Sequence, residues 1–328
     1  MVNRIIGFDY LRILCIFAVV AIHSFDTNSA LNDFKNRYLG FAVPCFLMIS
    51  FFLAAVRLSS GPVDPIGYWM ARLRRFLPAY LVWTFIYLLV RALKGAQISL
   101  SLEAIAGYIL FGGAAGHLYY VPLLLAYTIL TLIGFQVRTK KIQIVIFTIL
   151  FAASVLAGFA FPLSRLPGSN AYQAFISYVV YFSPYVSLGV LLFFLTQRTD
   201  VAKSLSGPKK QSIFFIFVSF VVIFLLLPAD GQFKRIVEIL LYSSLLLSFY
   251  YWPYGLSRHV ERLSKISFGI YLSHHLFVEG AQVLELKWDI DISSAMVTFG
   301  NFLVGVLMAV SSSFLFTKFR LTRFLNGG

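Results

Sequence analysis

The chain has 328 residues, of which 59% are hydrophobic and only 12% charged, with a formal net charge of +14. Apolar runs of about 20 residues recur along its length and match the roughly 30 Å hydrocarbon thickness of a bilayer, which excludes an ordinary water-soluble globular protein. The longest polar stretch, 197–210, has 14 residues and leaves no room for a soluble domain, and Cys15 and Cys45 fall in apolar segments, implying neither a disulfide framework nor a zinc site.

The expected fold is an all-α integral membrane protein, a polytopic bundle of about ten transmembrane helices forming a single domain over 1–328. The spans read at roughly 5–25, 39–58, 73–93, 117–136, 142–163, 176–196, 211–227, 235–252, 266–286 and 293–316. The first is too long for a signal-peptide core and lacks a small-residue cleavage site, so it is expected to remain as a span. Segment 104–113 is apolar but too short to cross, and Gly112, Gly113 and Gly116 mark it as an interfacial or re-entrant piece. With both termini in the cytoplasm, 18 of the 27 basic residues fall in cytoplasmic loops, eight fall outside, and Arg12 stays in the membrane. The positive-inside rule is then satisfied, and the net charge requires no nucleic-acid partner.

The first span carries Asp9, Arg12 and His23. An ionisable residue at membrane depth is a functional-site hypothesis by default. Eleven residues at about 100° each return to within about 20° of the starting face, so Arg12 and His23 share one side of the helix, roughly 16 Å apart. Asp9 lies one turn before Arg12 and can neutralise it. A satisfied polar histidine near the interface is the competing reading of His23. Arg12, seven residues into the span, has no comfortable path to water. In the second span Ser50 follows a Pro44 kink. The third opens with Arg72, Arg74, Arg75 and Pro78. Three arginines at a helix start either anchor topology or, with the helix dipole, hold a phosphate.

His117 and Tyr119 open the fourth span at about the level of His23. In the ninth, Ser267, Tyr271, His274 and His275 follow i, i+4, i+7 and i+8, and Glu279 continues the stripe. Such a stripe faces a cavity or serves as interhelical hydrogen-bond glue. No facing histidine pairs recur at the spacing that haem ligation needs.

Together these motifs resemble the membrane-bound acyltransferase-3 family. Its signature is an arginine, ten residues and a histidine in the first helix, preceded by an acidic residue, and Asp9, Tyr10, Leu11, Arg12 and His23 stand in those places. Pro44 to Ser50, the basic stretch Arg72 to Pro78, His117-Leu118-Tyr119, and Ser267 to His274 are similar to four further family motifs, in order. Ile13 and Phe51 depart from the pattern, where a small residue and a glycine are usual, and both are packing positions. The resemblance implies O-acylation, most often O-acetylation, of a cell-surface glycan or lipid-linked sugar, by a multi-pass protein of the inner (plasma) membrane. Acetyl-CoA or another acyl-CoA would be the donor, with no permanent cofactor and no metal. Arg72, Arg74 and Arg75 would take the CoA phosphates, and His23, with Arg12 and Asp9, would serve the chemistry. His117, Tyr119, Ser267, Tyr271, His274 and Ser50 would orient the acceptor. A proton-coupled transporter or flippase is the alternative, although no internal repeat of the kind such folds display is visible.

Overall fold

The computed structural model describes residues 4–25, 34–160, 171–197, 232–252, 255–288 and 294–327, with isolated positions between 213 and 225. Among them there is no strand. The helices are α1 (Ile6–Ser24), α2 (Ala42–Ser59), α3 (Pro65–Leu93), α4 (Leu102–Leu110), α5 (Tyr120–Phe135), α6 (Lys140–Ala160), α7 (Ala171–Thr196), α8 (Gln232–Tyr250), α9 (Arg258–Trp288) and α10 (Ser294–Lys318). Nine of the ten expected spans overlap these helices, and the seventh, 211–227, lies for the most part outside the described residues.

Six described helices are long and apolar enough to cross a membrane: α1, α2, α3, α7 and the parts Lys140–Phe159 and Met296–Lys318 of α6 and α10. The protein is a helical membrane protein. Helix α5 is apolar but shorter. Helices α8 and α9 are less apolar for a reason the sequence shows. Lys234, Arg235 and Glu238 sit in α8, and α9 carries its histidine-and-serine stripe.

Sequence chemistry explains the ends of α3. Asp64 caps it, accepting hydrogen bonds from the amides of Ile66 (3.1 Å) and Gly67 (2.9 Å), with Pro65 at the first helical position. The helix therefore begins eight residues earlier than the expected span start at 73. Arg72, Arg74 and Arg75 lie beyond its first turn, so the N-terminal dipole, which fades within a turn, does not act on a ligand at these arginines. Pro44 is likewise in the first turn of α2, where its missing N–H costs nothing, and it is not an interior kink. Segment 104–113 forms the short α4, about 14 Å long, and then a turn in which Gly112 has a φ of +74°. Such a helix cannot cross the bilayer. Tyr80 of α3 ties it down by donating to the carbonyls of Tyr108 and Ile109 (both 2.9 Å).

Helix α1 runs through the middle, packed against α2, α8, α9 and α10. Small residues permit the closest crossings. A side chain at Gly7 would run into the backbone of Phe249 in α8, and one at Gly189 in α7 would meet the Met48 carbonyl of α2 at 2.6 Å.

Candidate active site

Four of the five histidines of the chain meet in one place, brought from three elements. Helix α1 supplies His23 near its C-terminal end, the turn before α5 supplies His117, and α9 supplies His274 and His275. The ring centre of His23 lies 4.7 Å from that of His275, 5.2 Å from His274 and 5.8 Å from His117. His117 lies 4.9 Å from His274 and 5.1 Å from His275. Tyr87 of α3 joins them, its ring 5.1 Å from His117. Its hydroxyl donates to the Leu272 carbonyl (2.8 Å) and accepts from the Leu276 amide (3.2 Å), which holds the turn of α9 that carries the two histidines.

The hydrogen bonds assign the tautomers, because an imidazole nitrogen facing an acceptor must carry a proton. His274 Nδ1 faces the Tyr271 carbonyl (2.7 Å), His117 Nε2 faces the Leu272 carbonyl (3.4 Å), and His275 Nε2 faces a carboxylate oxygen of Glu279 (3.1 Å). The other nitrogen of each ring, His274 Nε2, His117 Nδ1 and His275 Nδ1, is buried with no partner among the described residues. Each is therefore a lone pair left available in a dry place, suited to accept from a hydroxyl. Among the described residues no set of three or more side chains is arranged to hold a metal ion.

The other end of the same face of α1 is ionic. Asp9, 3% exposed, accepts from Ser264 (2.6 Å) and Arg4 (2.7 Å) and sits 3.5 Å from Arg12. Arg4 also bridges to Glu261 (2.7 Å), and Lys265 reaches Glu261 at 2.9 Å. At this polar end Lys265 and then Arg4 hold the Glu261 carboxyl below the usual carboxylate range.

Arg4, Arg12, Arg72, Arg75 and Lys265 line a cavity of about 810 Å³, with Asp9 the carboxylate among them. Arg72 is set by Thr128 (2.9 Å) and lies 5.8 Å from the Phe51 ring centre, and Arg75 donates to the Gly327 carbonyl (2.8 Å). Ser50, Ser267, Tyr120 and Tyr271 also line it.

Tyr271 separates the two ends. It lines the cationic cavity, yet its hydroxyl donates to the His117 carbonyl, and its ring centre lies 5.6 Å from His117 and 6.0 Å from His274. Tyr120, whose ring lies 5.3 Å away, lines the same cavity. One face of α1 thus addresses a cationic cavity at Arg12 and a cluster of imidazoles at His23.

The family model described as Acyltransferase domain, acyltransferase-3, matches residues 5–318. The chain belongs to the acyltransferase-3 family. No curated protein and no solved structure matches it significantly. As a member of that family it is a membrane acyltransferase, and the four histidines and every cavity-lining residue named above except Arg4 lie within the matched residues.

Within this acyltransferase the expected site residues divide clearly. Arg12, Asp9, Arg72, Arg75, Ser50, Ser267 and Tyr271 border the cavity, and His23, His117 and His274 form the cluster. Arg74 is exposed and outside the cavity lining. Tyr119 is turned towards α7, stacked on Tyr178 at 3.9 Å. Sequence reasoning did not single out Tyr87 or the Lys94–Glu279 ion pair (2.8 Å), which joins the end of α3 to α9. The stripe of α9 already held Glu279, but a partner 185 positions away in sequence leaves no local signal.

Proposed function

We propose that the protein is a transmembrane O-acyltransferase that moves an acyl group, most simply acetyl, from cytoplasmic acyl-CoA to a hydroxyl of a cell-surface glycan or lipid-linked sugar. The topology in this reading has ten spans of the inner membrane in a single domain, with both termini in the cytoplasm. The observation that carries the reading is the layout of one face of α1, a cationic cavity at Arg12 and a histidine cluster at His23 about 16 Å away. The nucleotide phosphates of the donor would rest against Arg72, Arg75 and Arg12, with Arg74 attracting the polyanion from the exposed side. The extended pantetheine arm would then carry the thioester past Tyr271 to His23.

There the acceptor hydroxyl gives its proton to His23 as its oxygen attacks the thioester carbon. The tetrahedral intermediate loses CoA as the C–S bond breaks, and the proton ends on the sulfur. Imidazole suits this task because its ordinary pKa lies near neutral pH. His117 and His274 would accept hydrogen bonds from neighbouring hydroxyls of the acceptor.

The test uses purified protein, acetyl-CoA and an envelope glycan preparation, with release of free CoA as the readout. His23→Ala, still folded, should lose at least about 10²-fold of the rate. Arg75→Ala should weaken CoA binding, and added salt should do the same. CoA turnover unchanged in His23→Ala would remove that residue from the chemistry. Absence of turnover by the unaltered protein with every acceptor, alongside vesicle uptake of a glycan precursor, would favour a carrier.

A further inference from the structure

His275 differs from the other three histidines in its second partner. His117 and His274 rest on neutral backbone carbonyls, whereas His275 Nε2 is held by the Glu279 carboxylate at 3.1 Å. The carboxylate is itself fixed, its other oxygen 2.8 Å from Lys94 Nζ. These three side chains form a chain from α3 through α9 to the cluster. His275 is also the histidine nearest His23, at 4.7 Å between ring centres, and its Nδ1 is buried without a partner among the described residues.

A carboxylate behind an imidazole does two things that a carbonyl does less well. It locks one tautomer, here with the proton on Nε2 and the lone pair on Nδ1. It also balances the positive charge that appears when Nδ1 takes a proton, and in a dry site that balance matters most. Of the four rings, His275 alone has such a partner among the described residues. Helix geometry supports the arrangement, since Glu279 follows His275 by four residues and the two share a face.

We propose that Glu279 is a positioning residue that makes His275 a second base, one that receives the proton His23 takes from the acceptor hydroxyl. This rests on the acyl-transfer reading and deepens it. As the acceptor oxygen bonds to the thioester carbon, its proton passes to His23, and His23 in turn protonates His275 at Nδ1. Nε2–H of His275 remains on the carboxylate that also holds Lys94, and the charge of the new imidazolium is matched by that of the tetrahedral oxyanion. When the C–S bond breaks, the proton returns through the same two rings to the CoA sulfur. No proton or electron is gained or lost over the cycle.

The experiment measures kcat, KM and CoA affinity for Glu279→Gln, Glu279→Asp and Glu285→Gln beside the unaltered protein. Glu279→Gln keeps the side-chain shape and removes the charge. It should lower kcat on the order of 10²-fold with CoA affinity unchanged, and Glu279→Asp should recover part of the loss. Glu285→Gln makes the same charge change further along α9, where Glu285 meets Asn301 (3.3 Å) away from the cluster, and should leave kcat unaltered. A Glu279→Gln enzyme with unchanged kcat overturns the proposal while His23→Ala, inactive in the same assay, keeps the acyl-transfer reading. Equal losses in Glu279→Gln and Glu285→Gln would also overturn it, because they would report charge lost from α9 in general. An inactive unaltered protein refutes the underlying reading instead.

Discussion

Asp9→Asn tests whether the ionic end of α1 holds the bundle together. The carboxylate accepts Ser264 on one oxygen and Arg4 on the other, with Arg12 at 3.5 Å from the first. Asparagine keeps the size and an acceptor for Ser264, but turns an amide donor towards Arg4. A charge-assisted hydrogen bond is worth about 1.5–3 kcal/mol, and breaking a fully buried ion pair costs about 3–5 kcal/mol. Neither arginine is fully buried, with side-chain exposures of 41% for Arg4 and 30% for Arg12, so solvent screening lowers both figures. The expected loss is about 2–3 kcal/mol of unfolding free energy, measured by equilibrium unfolding in SDS-containing mixed micelles. The same substitution in an Arg4→Gln background should cost about 1 kcal/mol less, because one shared bond is already gone. A loss under about 0.5 kcal/mol, or strictly additive single substitutions, would refute the claim that Asp9 is the electrostatic anchor of this end.

Three further outcomes follow from the structure. Gly189→Val should cost about 1–3 kcal/mol, because its Cβ would meet the Met48 carbonyl at 2.6 Å. By contrast, Gly300→Ala, with nothing within 4 Å, should melt at or above the unaltered temperature. Glu261 has a carboxyl depressed by Lys265 and Arg4, so its contribution is complete above the ordinary carboxylate range and is lost as pH falls through the lowered value. Thermal melts of Glu261→Gln and of the unaltered protein should therefore differ most at neutral pH and converge in acid. A gap that widens in acid would contradict the sign.

Much of the architecture could be read in advance because a bilayer imposes one strong constraint, an apolar run per span. Helix faces could be read as well. The eleven-residue interval between Arg12 and His23 does place both on one side of α1, and the stripe of α9 does turn Tyr271 and His274 inward. Residue spacing along one helix was legible, but contacts between helices were not. Nothing local marks Lys94 as the partner of Glu279, Thr128 as that of Arg72, or Tyr178 as the ring that draws Tyr119 aside. Helix ends were hidden for a different reason. Asp64-Pro65 is a clear start signal, but hydropathy stops at the membrane edge while α3 continues past it, so the arginines looked terminal when they are not.

The separation of the cationic cavity from the histidine cluster has a physical logic of its own. On the proposed mechanism the donor carries several negative charges and one reactive carbonyl, and the two have opposite needs. Phosphates are stable beside arginines open to water, and moving them to membrane depth would cost several kcal/mol per uncompensated charge. The thioester and the hydroxyl gain from a dry site where imidazole lone pairs meet little competition from water. A rigid helix with Arg12 near one end and His23 near the other meets both needs at once, since its roughly 16 Å rise between them leaves the charges behind while the reacting atoms advance. The contact of Tyr120 with Tyr271, between the cavity and the histidines, would then matter as much as either end. On the proposed mechanism the slender, uncharged arm of the donor is the only part that has to pass this point.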